Sequence, residues 1–341
     1  MTNIKQLRPT ATLWQKMPTH LRALCIGVLF STSATADEVL RFSHSYTEND
    51  ARHEWAQFIA DNVSEKTDGQ VTINIFPNQE ISRAQAQHSA LRQGRIDLTI
   101  YPLPWLAGMI PLAEIGALPG LVTAPTDGLV WRDRAIWPML TEAIESTGAI
   151  LAGSGWAMAT IGSTGEAVIL PEDVDGLRMR GLGAASEQML NSNGATITSL
   201  PASELYQALQ TGVLTGVLTQ FASFEGYNLE EVIEHLQVGP GYIGGMHTIL
   251  LSTNMEQQIG IEHFDLVMEA IQESEVWFAE KMIEDSQRIA KEFESAGVQI
   301  HELSDDEVAA WVSNARDTAW PYFIERVPEG QAALEAVETP L

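Results

Sequence analysis

The chain has 341 residues, 45% of them hydrophobic, and its 45 acidic and 19 basic residues give a formal net charge of −26 at pH 7. A surface this acidic repels nucleic acid and anionic membranes, so neither is an expected partner. The length is sufficient for two packed lobes rather than a single core.

The first 36 residues have the features of a secretory signal peptide. An uncharged run, ALCIGVLFSTSATA, ends in the small-x-small pattern that signal peptidase cleaves, and it is shorter than the roughly 20 residues of a membrane span. Cleavage before Asp37 would remove the only cysteine, Cys25, and would change the formal charge to −30. The basic residues before this run are Lys5, Arg8, Lys16 and Arg22.

The mature chain is predicted to open with a strand from Glu38 to Ser45 and a helix from about Asp50 to Lys66. Helices are predicted over residues 126–147 and 184–193. A glycine-punctuated strand, Gly241 to Thr253, is expected to cross between lobes, and a long amphipathic helix follows over about 261–296.

Two segments in the middle of the chain resemble each other, namely Val71 to Trp105 and Ala195 to Phe224. Each contains a strand, a Pro-containing loop, a helix ending in Ala-Leu-x-x-Gly, and a second apolar strand. The alternative is that the two segments are similar by chance, because strand–helix–strand units are common. A true repeat predicts two similar α/β lobes, with a ligand between the strand ends at Tyr101-Pro102 and Thr219-Gln220.

Motifs for catalysis or cofactor binding are missing from the sequence. His53-Glu54 lacks the second histidine of a zinc-protease motif, and no nucleophile elbow or P-loop occurs. Gly181 and Gly183 loosely resemble a dinucleotide-binding turn, but Ser186 occupies the third glycine position. We therefore expect no enzymatic activity, no cofactor and no metal site, and interpret the glycines as a sharp strand-to-helix turn.

Arg180 is the principal candidate for binding an anion. Leu177 and Met179 have the parity of a buried strand face, which leaves Arg178 and Arg180 on the opposite face. Arg180 lies nearest the end of the strand, where its planar guanidinium can bind a carboxylate through two parallel bonds. The alternative is an ion pair with one of the many acidic residues of the protein.

Three consecutive motifs resemble the central region of the DctP family, the solute-binding proteins of TRAP transporters. The family pattern is a Pro-x-Asp-x-x-Gly-Leu-Lys-x-Arg strand, a Pro-x-x-Glu-x-Tyr-x-Ala-Leu-Gln-x-Gly-Val helix and an Asp-Gly strand. The matching segments are LPEDVDGLRMRG (170–181), SLPASELYQALQTGVLTG (199–216) and the helix GYNLEEVIEHL (226–236). In place of the Asp-Gly this chain has Thr215-Gly216.

The resemblance implies a two-lobed periplasmic-binding-protein-like α/β fold, each lobe a mostly parallel sheet flanked by helices, with a long helix spanning the lobes. Residues 37–155 plus about 246–285 would form lobe I, and residues 156–245 plus about 286–341 would form lobe II. It also implies a periplasmic monomer that closes over a small organic acid and delivers it to the membrane permease subunits of a TRAP transporter.

In this family Arg180 corresponds to the arginine that grips the carboxylate, whereas Arg178 is not a ligand. A second arginine found in some members, on the strand after Trp156, has no counterpart here. One arginine in an aromatic cleft suits a monocarboxylate with an apolar or hydroxylated body. The predicted ligand-binding residues are Arg180, Trp156, Thr219, Gln220, Phe221, Tyr101, His44 and Tyr242, with Trp105 and Tyr46 as further lining residues.

Three other classes of protein remain open from the residues alone. An ABC-type periplasmic binding protein and a receptor-linked periplasmic binding protein would share the two-lobed architecture. A secreted α/β enzyme would use carboxylates or a bound metal and would turn its substrate over.

Overall fold

A mixed sheet forms the centre of the fold in this computed structural model, which describes residues 38–341. The predicted signal peptide, residues 1–36, lies outside the described residues. Within the described part of the chain the sheet has ten strands. They are β1 (Glu38–Ser43), β2 (Val71–Phe76), β3 (Leu98–Pro102), β4 (Ala149–Ser163), β5 (Arg178–Arg180), β6 (Thr196–Ile197), β7 (Gly216–Gln220), β8 (His235–Val238), β9 (Gly244–Ser252) and β10 (Gln299–Glu302).

Helices cover the sheet. They are α1 (Ala51–Lys66), α2 (Gln87–Arg92), α3 (Ile136–Glu145), α4 (Ala184–Ser192), α5 (Leu205–Gln210), α6 (Phe221–Gly226), α7 (Met255–Ile259), α8 (Ile261–Ala296), α9 (Asp305–Arg326) and α10 (Gly330–Glu338). No helix among residues 38–341 is both long enough and apolar enough to cross a membrane.

The helix predicted over residues 126–147 is wrong in one respect, because it is interrupted. Residues Pro125–Asp133 form a 3-10 helix, and α3 begins only at Ile136. Between them Arg134 is extended and its backbone pairs with Pro340. The interruption therefore depends on a contact with the C-terminal end of the chain, which local periodicity does not contain.

The strand order, β2-β1-β3-β9-β4-β7-β5-β6, divides the sheet into two halves. In one half β1 runs parallel to β2 and β3, and in the other β5 runs parallel to β6 and β7. We call these halves lobe I and lobe II. The α/β fold with mostly parallel strands in each lobe is confirmed, whereas the exact lobe limits stay a prediction.

Two long antiparallel strands join the lobes at the middle of the sheet. β4 pairs with β9 from Ala149 to Met158 and with β7 from Ala159 to Ser163. The other edge of β9 pairs with β3. The crossing strand predicted at 241–253 is β9, and nearly every residue of β4 and β9 is buried.

The long helix α8 contributes to two hydrophobic clusters. Ile271 and Phe278 pack with Trp55 in the smaller cluster, which contains the core of lobe I. Ile289 and Phe293 belong to the larger cluster, which contains the core of lobe II. The ring of Phe278 stacks on Trp55 with a centroid distance of 4.1 Å. The predicted long helix therefore contacts both lobes.

The close approach of α8 to β4 requires glycine at position 155. A Cβ added there would lie 2.3 Å from Cδ1 of Phe278. We expect Gly155→Ala to lower the free energy of unfolding by about 1–3 kcal/mol, because Phe278 and Trp55 must shift. Denaturant titration measures this loss.

Gly165→Ala is the matched control, since no atom lies within 4 Å of a Cβ at that position. Equal stabilities of the two variants would contradict the close packing of α8 on β4.

Candidate functional site

A cavity of about 730 Å³ lies where β3 and β7 end, a size typical of small-molecule sites. Pro102 at the end of β3 and Thr219 and Gln220 at the end of β7 line the same cavity, as the sequence repeat predicted. Other lining residues come from both lobes. They include Tyr46, Asp50, Arg52, Trp105, Arg180, Glu225, Tyr227, His247 and Asp285.

Arg180 contributes a charge to this cavity from the end of β5. Its Nε donates to the carbonyl oxygen of Leu200 at 3.3 Å and its Nη1 to that of Leu218 at 3.4 Å. No carboxylate among residues 38–341 forms an ion pair with it. Burial lowers the pKa of Arg180, and Glu187 opposes that effect from a distance. Because a guanidinium stays protonated at neutral pH, the cavity contains a cation without a counter-ion.

Arg178, two residues earlier on the same strand, is exposed and lies outside the cavity lining. Its guanidinium donates to the carbonyl oxygens of Gly212 and Val213. The two arginines therefore share a donor role toward backbone carbonyls, but only Arg180 faces the cavity.

A second arginine, Arg52, enters the cavity from the start of α1 and is already neutralised. Asp50 caps α1 by accepting from the backbone N–H of Arg52 at 2.9 Å, and its carboxylate also accepts from Nε and Nη2 of the same residue. Burial would raise the pKa of Asp50, but Arg52 outweighs burial and holds that pKa below its ordinary value. Asp50 is therefore ionised at neutral pH.

The remaining groups of Arg52 contact both lobes. Its Nη1 donates to Oε1 of Gln220 at 3.1 Å, and its guanidinium lies 3.8 Å from the centroid of the Tyr46 ring. The site therefore contains a bond between α1 of lobe I and the tip of β7 of lobe II.

His247 on β9 links Gln220 to Tyr46. Its Nε2 lies 3.3 Å from Nε2 of Gln220, and its Nδ1 lies 3.0 Å from the Tyr46 hydroxyl. Because the amide nitrogen of Gln220 is a donor, His247 Nε2 accepts and Nδ1 carries the ring proton. His247 then donates to the Tyr46 oxygen.

The other acidic side chains of the lining have cationic partners. Glu225 forms an ion pair with Arg288 at 2.6 Å. Asp285 lies 3.7 Å from Lys281 and 3.6 Å from Arg288. Arg180 is thus the lining charge that lacks a counter-ion among the described residues. Within residues 38–341, no three histidine, cysteine or acidic side chains converge to hold a metal ion.

Five of the eight predicted ligand residues lie outside the main cavity lining. Trp156 is 1% exposed and packs edge-on against Trp131 at 4.9 Å, and Tyr242 stacks on Trp311 and donates to Gln237. Both side chains point into the core rather than into this cavity, and their role in ligand binding stays a prediction.

The other three residues also lie outside the lining of the main cavity. The hydroxyl of Tyr101 donates to the carbonyl of Gln85, behind Trp105, and His44 is buried against His53 with 3.1 Å between ring nitrogens. Phe221 lines a separate cavity of about 20 Å³. Proximity to a strand end therefore does not by itself place a side chain in the cavity, because its packing partners decide its direction.

The structure brings Arg180, Thr219, Gln220, Trp105 and Tyr46 together in the cavity, as expected. Sequence analysis missed Asp50, Arg52, His247 and Tyr227. An available signal for the first two was the Asp-Ala-Arg start of a helix directly after the first strand, in a chain with few basic residues.

The neutrality of His247 predicts a pH dependence of stability. Burial is the largest cause that lowers its pKa, from 6.5 to about 3, and Arg52 adds to the effect. The unfolded chain therefore takes up a proton that the folded chain excludes, so stability present above pH 6.5 is lost as the pH falls. His247 alone should remove about 1.5 kcal/mol between pH 6.5 and 5.

We expect His247→Gln, whose amide can still bond to Tyr46, to reduce this loss by a similar amount in urea titrations at the two pH values. His263→Gln, on α8 outside the network, serves as control. Identical pH profiles for wild type and His247→Gln would rule out this role of His247.

Comparison with known proteins places the whole described fold in one family. Residues 42–326 match the DctP family, described as bacterial extracellular solute-binding protein, family 7. A solute-binding protein of Albidiferax ferrireducens is 29% identical over 315 residues, which is 90% of this chain and 93% of the relative.

Comparison with solved structures also finds solute-binding proteins. A TRAP periplasmic solute-binding protein from Rhodoferax ferrireducens, with bound malonate, has a TM-score of 0.80 and 27% identity over 88% of this chain and 97% of that one. One from Chromohalobacter salexigens, with bound D-glucuronate, has a TM-score of 0.76 and 20% identity over 88% and 99%. The chain therefore belongs to the DctP family of extracellular solute-binding proteins.

Proposed function

We propose that this chain captures a small organic acid in the 730 Å³ cavity, with Arg180 binding the carboxylate, and delivers it to the permease subunits of a TRAP transporter. The observation that carries the proposal is the unpaired cation of Arg180 in the cavity. A partly buried charge without an ion-pair partner is unfavourable, and a guest carboxylate would compensate the charge of Arg180 through a bidentate, charge-assisted pair.

The lining also supports capture by closure of the lobes. Trp105 from lobe I is 40% exposed and Tyr227 from lobe II is 36% exposed, although both are large aromatic residues at the cavity. A guest that contacts both residues binds the closed arrangement more tightly than an open one and shifts the population toward closure. Ligand binding, rather than catalysis, is the role that this arrangement favours.

The comparisons support the choice of an acid as guest. The structure at 27% identity was solved with malonate, a carboxylate. Membership of the DctP family supports a TRAP permease as the membrane partner.

A matched pair of variants tests the role of Arg180. A thermal-shift screen of organic acids first identifies the acid that stabilises the wild type most. In calorimetry with that acid, Arg180→Gln should weaken binding by about 30-fold or more, since loss of one partner of a buried charge pair costs about 2–5 kcal/mol. Arg178→Gln removes the same charge from the same strand and should change affinity by less than about 2-fold.

Equal losses in both variants would mean that only the overall charge matters, which would refute the role of Arg180. The acid recovered after denaturing the complex should be chemically unchanged in mass spectrometry. A modified product would favour a secreted enzyme instead.

The predicted leader adds an expectation about location. Expressed with its leader in a Gram-negative host, the protein should be recovered from the periplasm with an intact mass that corresponds to a chain starting at Asp37. Retention of residues 1–36 in the recovered protein would contradict cleavage at this site.

A further inference from the structure

Two arginines reach the cavity beside neighbouring positions of one strand. Arg180 donates to the carbonyl of Leu218, and Arg52 donates to the side chain of Gln220. Leu218 and Gln220 are two residues apart on β7, which is about 7 Å along a strand. One small guest held by Arg180 can therefore extend to the Arg52 end of the cavity.

The two ends differ in charge. Arg52 is engaged by Asp50 through two of its guanidinium nitrogens, whereas Arg180 has no acidic partner among the described residues. Glu225 and Asp285 share Arg288 as a cationic partner, and Asp285 also lies near Lys281. Within the described residues, Arg180 is therefore the lining cation that forms no ion pair, whereas Arg52 at the other end is paired with Asp50.

The Arg52 end still offers hydrogen-bond donors. A guanidinium carries five N–H groups, of which three donate to Asp50 and Gln220, and the group also bonds to Tyr46. Tyr46 and Gln220 also line this end of the cavity. These groups suit a neutral oxygen such as a hydroxyl, whereas a second carboxylate would lie close to the carboxylate of Asp50.

We propose that Asp50 is a specificity-determining residue: by neutralising Arg52 it restricts the cavity to guests with one carboxylate and a hydroxylated opposite end. This inference rests on the proposed function, because it takes Arg180 as the site of the first carboxylate. It assigns to the N-terminus of α1 the discrimination between hydroxy monocarboxylates and dicarboxylates.

Asp50→Asn removes the charge of Asp50 with little other change. Asn is as good an N-cap as Asp, so α1 keeps its cap and the variant is expected to fold, with a lower free energy of unfolding because Arg52 loses its counter-ion. The charge of Arg52 is then uncompensated, and the cavity has two cations that a diacid can bridge. Asp61→Asn, an exposed position on the same helix, is the control for net charge.

The probes are acids that differ only at one end: 3-hydroxypropanoate with malonate, 4-hydroxybutanoate with succinate, and gluconate with glucarate. The wild type should bind the hydroxy acid of the best-bound pair more tightly than the matching diacid in calorimetry. Asp50→Asn should shift the affinity ratio toward the diacid by at least about 10-fold, the scale of one charge-assisted bond. Asp61→Asn should leave the ratio unchanged.

The double variant Asp50→Asn with Arg52→Gln removes both charges and should lose the gain for the diacid. A wild type that prefers the diacid, an unchanged ratio in Asp50→Asn, or a gain that persists in the double variant would each overturn the inference. These results are distinct from failure of the proposed function, in which Arg180→Gln and Arg178→Gln bind the hydroxy acid equally well.

Discussion

The antiparallel pairing of β4 with β9 is the constraint on which the geometry of the site depends. β3 is hydrogen-bonded to β9 and β7 to β4, so the tips of β3 and β7 are positioned by one shared pair of strands. Without this pairing, the positions of the two similar α/β units relative to each other would not be fixed. The pairing brings Pro102 and Gln220 to one cavity, and α8, which contributes to both hydrophobic clusters, packs against β4.

Within that geometry, charge pairing decides what the cavity recognises. The chain is strongly acidic, so an arginine inside it meets many candidate acids. Arg288 and Arg52 have such partners at or near the cavity, and Arg180 is bonded only to backbone carbonyls. The proposed specificity of the site thus rests on leaving one cation without an ion pair rather than on concentrating positive charge.

Signals that are local in the chain were sufficient to predict most of the fold. The limits of α1, α4 and α8 follow from apolar periodicity and capping, and the repeat located the strand tips of the site. The break at Arg134 was not predictable in this way, because it needs Pro340. Tyr101 and His44 failed for another reason. The strand position of Tyr101 was correct, whereas β1 ends at Ser43, before His44, and in both cases the direction of the side chain depends on its packing partners.

The two arginines of the site differ in whether their pairing is determined by neighbouring residues or by the whole fold. The pairing of Arg52 with Asp50 is a property of one helix start: an N-cap aspartate and a residue two positions later lie within bonding distance wherever that helix forms. The isolation of Arg180 is a property of the whole fold, since any of the acidic residues could have approached it. A sequence can therefore reveal which cation is neutralised before the fold is known, whereas it takes the assembled lobes to establish which cation remains for the ligand.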